Sequence, residues 1–270
     1  MTPASDTQIS HLGRLWLYVL GVLVMLFLVL PSFIVVPMSF SDSAYLEFPP
    51  RVWSLRWYES FVGSVEWRDA TVVSLKAAVS TMVLATALGT AAAYGLHVSR
   101  FRLTAAIQAL LGMPLMVPVI LIAIGVFYVY ARLGLNNTIA GLILAHSTLA
   151  IPFVVVTVAA GLKTYDMNQE MVARSLGATR LRAFLSITLP QIRFSVVVAA
   201  LFAFITSLDE VIVALFISGG ENATLTRRMF NALRDQIDPT IAAISTCLIG
   251  VSILALVLIQ AFGRQRTPRA

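Results

Sequence analysis

Three groups of residues in this 270-residue chain have side chains that could do chemistry, each of a different kind. His146 stands beside Ser147 and Thr148, a base next to two hydroxyls, as nucleophilic catalysis would need. Asp209 and Glu210 are adjacent carboxylates within a long apolar run. The segment from Lys163 to Arg193 gathers Asp166, Glu170, Arg174, Arg180 and Arg182 into a polar break between two apolar runs, with Gly177 and Pro190 as punctuation.

The catalytic reading is the weakest of the three. No second or third catalytic group is evident at the depth of His146, and no G-x-x-x-x-G-K-[ST], H-E-x-x-H or G-x-S-x-G pattern occurs. A lone histidine in an apolar helix is more often a hydrogen-bonding group between packed helices. Cys247 is the single cysteine, which excludes a disulfide framework and a Cys/His metal site. No catalytic residue and no metal ligand is therefore expected.

The two acids have a more informative position. A carboxylate within a membrane span costs about 2.5–3.5 kcal/mol on insertion scales, so such residues face a bundle interior or an aqueous path. Neighbours on a helix point about 100° apart, so Asp209 and Glu210 cannot face the same way. Lys76, placed at similar depth, is the candidate partner. Two readings stay open: a packing ion pair with Lys76, or a path for a cationic solute lined by Asp209, Glu210 and Lys76.

The polar break reads as helix, glycine turn, helix, proline. Asp166 with Gln169 makes a capping box for a first short helix. Gly177 stops it in the left-handed conformation, Thr179 caps a second helix through Phe184 and Ile187, and Pro190 opens the next apolar run. Met171, Val172, Leu176 and Phe184 offer apolar knobs, with Glu170, Arg174 and Arg180 as a polar rim: a docking surface.

The elements that position these groups are membrane helices. Hydrophobic residues make up 59% of the chain and charged ones 12%, against about 45–50% and about 25% in soluble domains. Runs long enough to cross about 30 Å of hydrocarbon give six spans: Leu15 to Val36, Val72 to Leu96, Leu103 to Ala131, Thr138 to Leu162, Gln191 to Ser218 and Ile241 to Phe262. The first is longer than a signal-peptide core and lacks a cleavage pattern. Pro114 and Pro118 are expected to kink the third.

This gives one all-α membrane domain over residues 15–262, with the polar loop at 163–190 and tails at 1–14 and 263–270. The outer loop Pro37 to Thr71 is too short for a core of its own. Eleven of the 19 Lys and Arg residues fall on one side of this layout, placing both termini and the polar loop in the cytoplasm. The net charge of +6 is then positive-inside bias and contact with anionic membrane lipid, and no nucleic-acid partner is expected.

The loop also carries a resemblance. Ala173-Arg174-Ser175-Leu176-Gly177-Ala178, then Ile187-Thr188-Leu189-Pro190 ten residues beyond the glycine, resembles the EAA loop of permease subunits from binding-protein-dependent ABC importers. The family's glutamate position holds Met171, and Glu170 stands one residue earlier, leaving open which takes that role.

Phe48-Pro49-Pro50 with Ser54-Leu55-Arg56-Trp57-Tyr58 resembles the first outer loop of the polyamine branch. Met113-Pro114-Leu115-Met116-Val117-Pro118, Ser207-Leu208-Asp209-Glu210 and Asp238-Pro239 resemble its later spans. The family's Thr-Leu-Pro after the fifth span is replaced by Thr224-Leu225-Thr226, which implies a less rigid loop.

The resemblance implies a type I ABC importer permease in a bacterial inner membrane, forming half of a path for a polyamine or related cationic amine. It implies as partners a second, homologous but different permease, two copies of an ATP-binding subunit and an extracytoplasmic solute-binding protein. The chain itself would bind no cofactor; ATP and Mg would sit on the partner ATPase. Glu170, Met171, Val172, Ala173, Arg174, Leu176, Gly177, Ile187, Leu189 and Pro190 would couple to it. The competing readings are an intramembrane enzyme built on His146, a structural scaffold, or a permease for another small solute.

Overall fold

The computed structural model describes residues 14–99, 101–235 and 237–263, with the side chains of 258, 259 and 261–263 left aside. The expected tails therefore lie outside the described residues apart from Arg14 and Gly263, as does Arg100. Among the described residues no strand occurs beyond an isolated Ser41–Trp53 bridge. The helices are α1 (Leu15–Met38), α2 (Arg56–Gly63), α3 (Val65–Val98), α4 (Thr104–Gly112), α5 (Val119–Leu133), α6 (Ile139–Lys163), α7 (Asn168–Ser175), α8 (Arg180–Ala183), α9 (Leu189–Gln191), α10 (Arg193–Asp209), α11 (Ile212–Ile217), α12 (Leu225–Asp235) and α13 (Thr240–Gly263).

Four helices, or up to six spans if each of two bent pairs counts as one, are long and apolar enough to cross a membrane. Two of the expected spans are not single helices. In place of a continuous Leu103 to Ala131 helix, the chain turns by 98° between the α4 end and α5. Pro114 sits in a 3-10 turn, Met113–Leu115, and Pro118 caps α5. Pro118 has no N–H to donate and disfavours helical geometry at Val117, which ends the first piece.

The expected span Gln191 to Ser218 is likewise divided. Arg180–Gln191 meets α10 at 82°, so Pro190 lies in α9, ahead of the bend, and Arg193 opens the span. α10 then ends at Asp209, and the extended backbone of Glu210 (φ −70°, ψ 117°) separates it from α11.

By contact the chain forms two units. One holds α1, α2, the loop between them and α13 through Gly250. In that loop the Ser39 hydroxyl meets the Tyr58 hydroxyl at 2.7 Å, and Phe40 packs against Trp53 and Tyr58. The Trp57 indole N–H donates to the Ser43 carbonyl, giving the loop an order of its own.

The other unit is built on α3, α6 and α10, which pack on one another through small residues. Ala77, Ala78, Ala85 and Ala93 of α3, Ala145 and Ala150 of α6, and Ala199 and Ala203 of α10 are buried. Between membrane helices, where burial from water gives no drive, close backbone approach supplies the dispersion energy. Gly89 and Gly161 mark the tightest points. A Cβ on Gly89 would lie 2.6 Å from Val154 Cγ1, and one on Gly161 would collide with Ser195.

Candidate functional site

The polar loop is an ordered helix pair. α7 ends in a Schellman turn: the Ala178 N–H donates to the Ala173 carbonyl at 3.1 Å and the Gly177 N–H to Arg174 at 3.0 Å. Gly177 has φ +93°, open to glycine without strain. The Thr179 hydroxyl accepts from the Arg182 N–H and caps α8. Phe184–Thr188 follows as a π-helical turn running into Pro190, which itself cannot supply the next N–H.

Two expectations for this loop need correction. Asp166 accepts from the Asn168 N–H instead of closing a capping box, and Gln169 pairs with the Gln191 amide, because α7 starts at Asn168, too late for that box. Glu170 is not a rim contact. It is 2% exposed, and its carboxylate accepts from the Tyr94 hydroxyl at 2.5 Å and from the Thr188 hydroxyl at 2.6 Å. Met171, one residue on and about 100° round the helix, is 53% exposed.

Glu170 therefore joins α7 to α3 and to the π turn, and the Tyr94 and Phe184 rings, 4.5 Å apart, close the same junction. Tyr94 carried no sequence signal, being one aromatic in an apolar helix; Thr188 lay within the Ile187-Thr188-Leu189-Pro190 run without a role. Val172 and Leu176 are exposed beside Met171, with Leu181 and Leu185 on the segment that follows. Arg174 and Pro190 are also exposed, and Ala173, Ile187 and Leu189 are half-buried.

The Asp209–Glu210 pair sits at the break after α10. At 1.5 Å per residue the 17 residues of α10 rise about 25 Å from Arg193. Glu210 turns its carboxylate onto the start of α11, where Oε1 accepts from the Val213 N–H at 2.6 Å. Its backbone carbonyl accepts from the Thr226 hydroxyl at 2.9 Å. Asp209 is exposed, and among the described residues its carboxylate has neither ion pair nor hydrogen bond.

The pairing of Lys76 with these acids is not formed. Lys76 lies on the exposed face of α3 with Val72, Leu75 and Val79, while Ala77 and Ala78 face the core. The two ion pairs among the described residues are Arg51–Glu47 and Arg228–Glu66.

Thr224, Leu225 and Thr226, expected to make a less rigid loop, are all buried and tied down. The Leu225 N–H donates to the Ser74 hydroxyl at 2.7 Å, and Arg228 stacks over Trp67 while pairing with Glu66 at 2.5 Å. Hydrogen bonds to α3 replace the stiffness a proline would give.

His146 is 1% exposed, and its Nδ1 lies 2.8 Å from the Ser207 hydroxyl, joining α6 to α10. No cluster of three metal-binding side chains occurs among the described residues. The architecture is that of a multi-pass helical membrane protein with broken spans around a tight core and a polar helix pair between two spans.

Comparison with known proteins gives the class a family. Residues 85–268 match the model described as binding-protein-dependent transport system inner membrane component, and the chain belongs to that family. It is thus an ABC importer permease subunit of the inner membrane and not an enzyme; ATP hydrolysis lies in a separate subunit.

It is 30% identical over 240 residues to the spermidine/putrescine transport system permease protein PotC of Haemophilus influenzae, covering 88% of this chain and 93% of the relative. It is also 30% identical over 242 residues to the putrescine transport system permease protein PotI of Escherichia coli K12, with 87% and 86% covered. In fold it resembles a chain of a bacterial ABC transporter involved in alginate import, with TM-score 0.67 at 15% identity over 99% of this chain and 100% of that one.

Proposed function

We propose that this permease passes a polyamine or related cationic amine, and that Asp209 supplies the negative charge for it in the outer half of the path. The observation that carries the reading is the exposed carboxylate of Asp209, without a counter-ion among the described residues, at the end of a membrane helix. A solute ammonium group is the partner that would offset the expense of keeping that charge there. The names of the 30%-identical relatives point to the same solute class.

The polar loop is the dock for the ATPase in this reading. Met171, Val172, Leu176, Leu181 and Leu185 are large apolar side chains, 51–84% exposed, on a loop otherwise rich in arginine. Such a patch is a surface waiting for a protein partner. Two ATP-binding subunits would carry ATP and Mg, and a second, different permease would complete the path. A solute-binding protein would deliver to the outer face, with both termini in the cytoplasm.

The test is uptake of radiolabelled spermidine and putrescine by cells carrying the complete transporter. Asp209→Asn should assemble with the ATP-binding subunit yet lose at least about tenfold in uptake, the equivalent of about 1.4 kcal/mol. Uptake at the wild-type rate would remove Asp209 from the path.

A further inference from the structure

Two of the backbone groups that the break at Glu210 releases from helical pairing have side-chain partners. The Val213 N–H is taken by the Glu210 carboxylate, and the Glu210 carbonyl by the Thr226 hydroxyl. In a membrane span a released carbonyl persists only where protein or a water-lined cavity satisfies it, and here the partner is protein. The first of these bonds is local. The second comes from α12, sixteen residues further along the chain.

Thr226 is itself fixed. It is 7% exposed, its hydroxyl lies 3.4 Å from that of Thr224, and its neighbours Leu225 and Arg228 are tied to Ser74 and Glu66 of α3. The Thr226 bond therefore references the end of α10 to α3. Asp209 is the last helical residue before that carbonyl, so the direction of its side chain depends on where the helix stops.

We infer that Thr226 is a positioning residue: its hydroxyl holds the Glu210 carbonyl out of the helix and so keeps α10 ending at Asp209, with the Asp209 carboxylate presented to the path. The inference rests on the proposed role of Asp209. It predicts that loss of the hydroxyl lets α10 and α11 rejoin and turns Asp209 away, acting on transport only through Asp209.

The experiment is a double-mutant cycle in the complete transporter, with spermidine uptake read alongside the amount of ATP-binding subunit that co-purifies. Thr226→Val keeps the shape and removes the hydroxyl; it should lower uptake about fivefold or more, and Thr226→Ser should stay within about twofold of wild type. Combined with Asp209→Asn, Thr226→Val should add no further loss, because it acts through the group already removed.

Multiplied losses in the double mutant would overturn the inference, since they mean a separate structural effect. So would wild-type uptake with Thr226→Val, or a Thr226→Ser variant as impaired as the valine. If the valine variant does not assemble, the serine and alanine variants at Thr226 carry the same comparison, and equal uptake by the two overturns it. Wild-type uptake with Asp209→Asn would bring down the path reading first, and the inference with it.

Discussion

The Tyr94 hydroxyl donates to Oε1 of Glu170 at 2.5 Å, so a residue of membrane helix α3 holds a carboxylate of the α7–α9 loop. Thr188 takes the other oxygen. Movement of α7 must then carry α3 and the π turn with it, or break both bonds. This is a direct physical link from the exposed apolar patch to the helical core.

Glu170→Ala should uncouple the loop from the span. The buried Thr188 hydroxyl would lose its acceptor at about 1–3 kcal/mol, and the half-buried Tyr94 hydroxyl would lose its acceptor too. The detergent-purified complex should melt several degrees lower, with uptake strongly reduced. Glu170→Gln keeps an acceptor and should fall between alanine and wild type; an alanine variant matching wild type in both measurements refutes the link.

Gly177→Val tests the turn. Nothing lies within 4 Å of a Cβ at this position, so crowding is not the issue; the φ of +93° is. A non-glycine residue held there costs about 1–3 kcal/mol, and a β-branched one is the least tolerant. Co-purification of the ATP-binding subunit should drop sharply with Gly177→Val and less with Gly177→Asn. Full retention and normal transport with the valine would show that the turn is not needed for docking.

The turn of the loop was legible in the sequence because glycine and threonine have strong local preferences, and local rules decided Gly177 and Thr179, whereas Pro190 lies ahead of the bend and does not open the span. Glu170 was misplaced because nothing in a sequence says which face of a two-turn helix meets Tyr94, 76 residues away. The same limit explains Lys76. Similar depth made it a plausible partner for the acids, but its direction around α3 is set by which face packs, and alanines at 77 and 78 took that face. The bend near Pro118 follows from the prolines expected to kink that span, whereas the break at Glu210 was hidden by an apolar run that reads as continuous.

Gly89 and Val154 offer a test of the core by compensation. Gly89→Ala places a methyl 2.6 Å from Val154 Cγ1 and should destabilise the α3–α6 contact by about 1–3 kcal/mol. Val154→Ala in the same chain should restore much of the lost assembly and thermal stability. If the double variant is worse than Gly89→Ala alone, the close contact is not the cause.

The proposed orientation predicts opposite labelling of two exposed positions. In a background with Cys247 replaced, Tyr45→Cys should react from the outside with an impermeant thiol reagent, and Ser99→Cys only after the membrane is opened. Labelling of position 99 in intact cells would reverse the topology.

Glu210 and Lys76 separate capping from ion pairing. If the Glu210 carboxylate serves as the cap of α11, Glu210→Gln retains an oxygen for the Val213 N–H, while Glu210→Ala leaves that donor bare, at about 0.5–2 kcal/mol. The alanine variant should therefore assemble poorly and the glutamine variant nearly normally, although both abolish the charge. Lys76→Met should not lower the amount of assembled complex, because Lys76 holds no acid in the described residues. An ion pair would give the reverse order, with Glu210→Gln and Lys76→Met equally damaging and their combination no worse than either; that result would replace the cap with the pair.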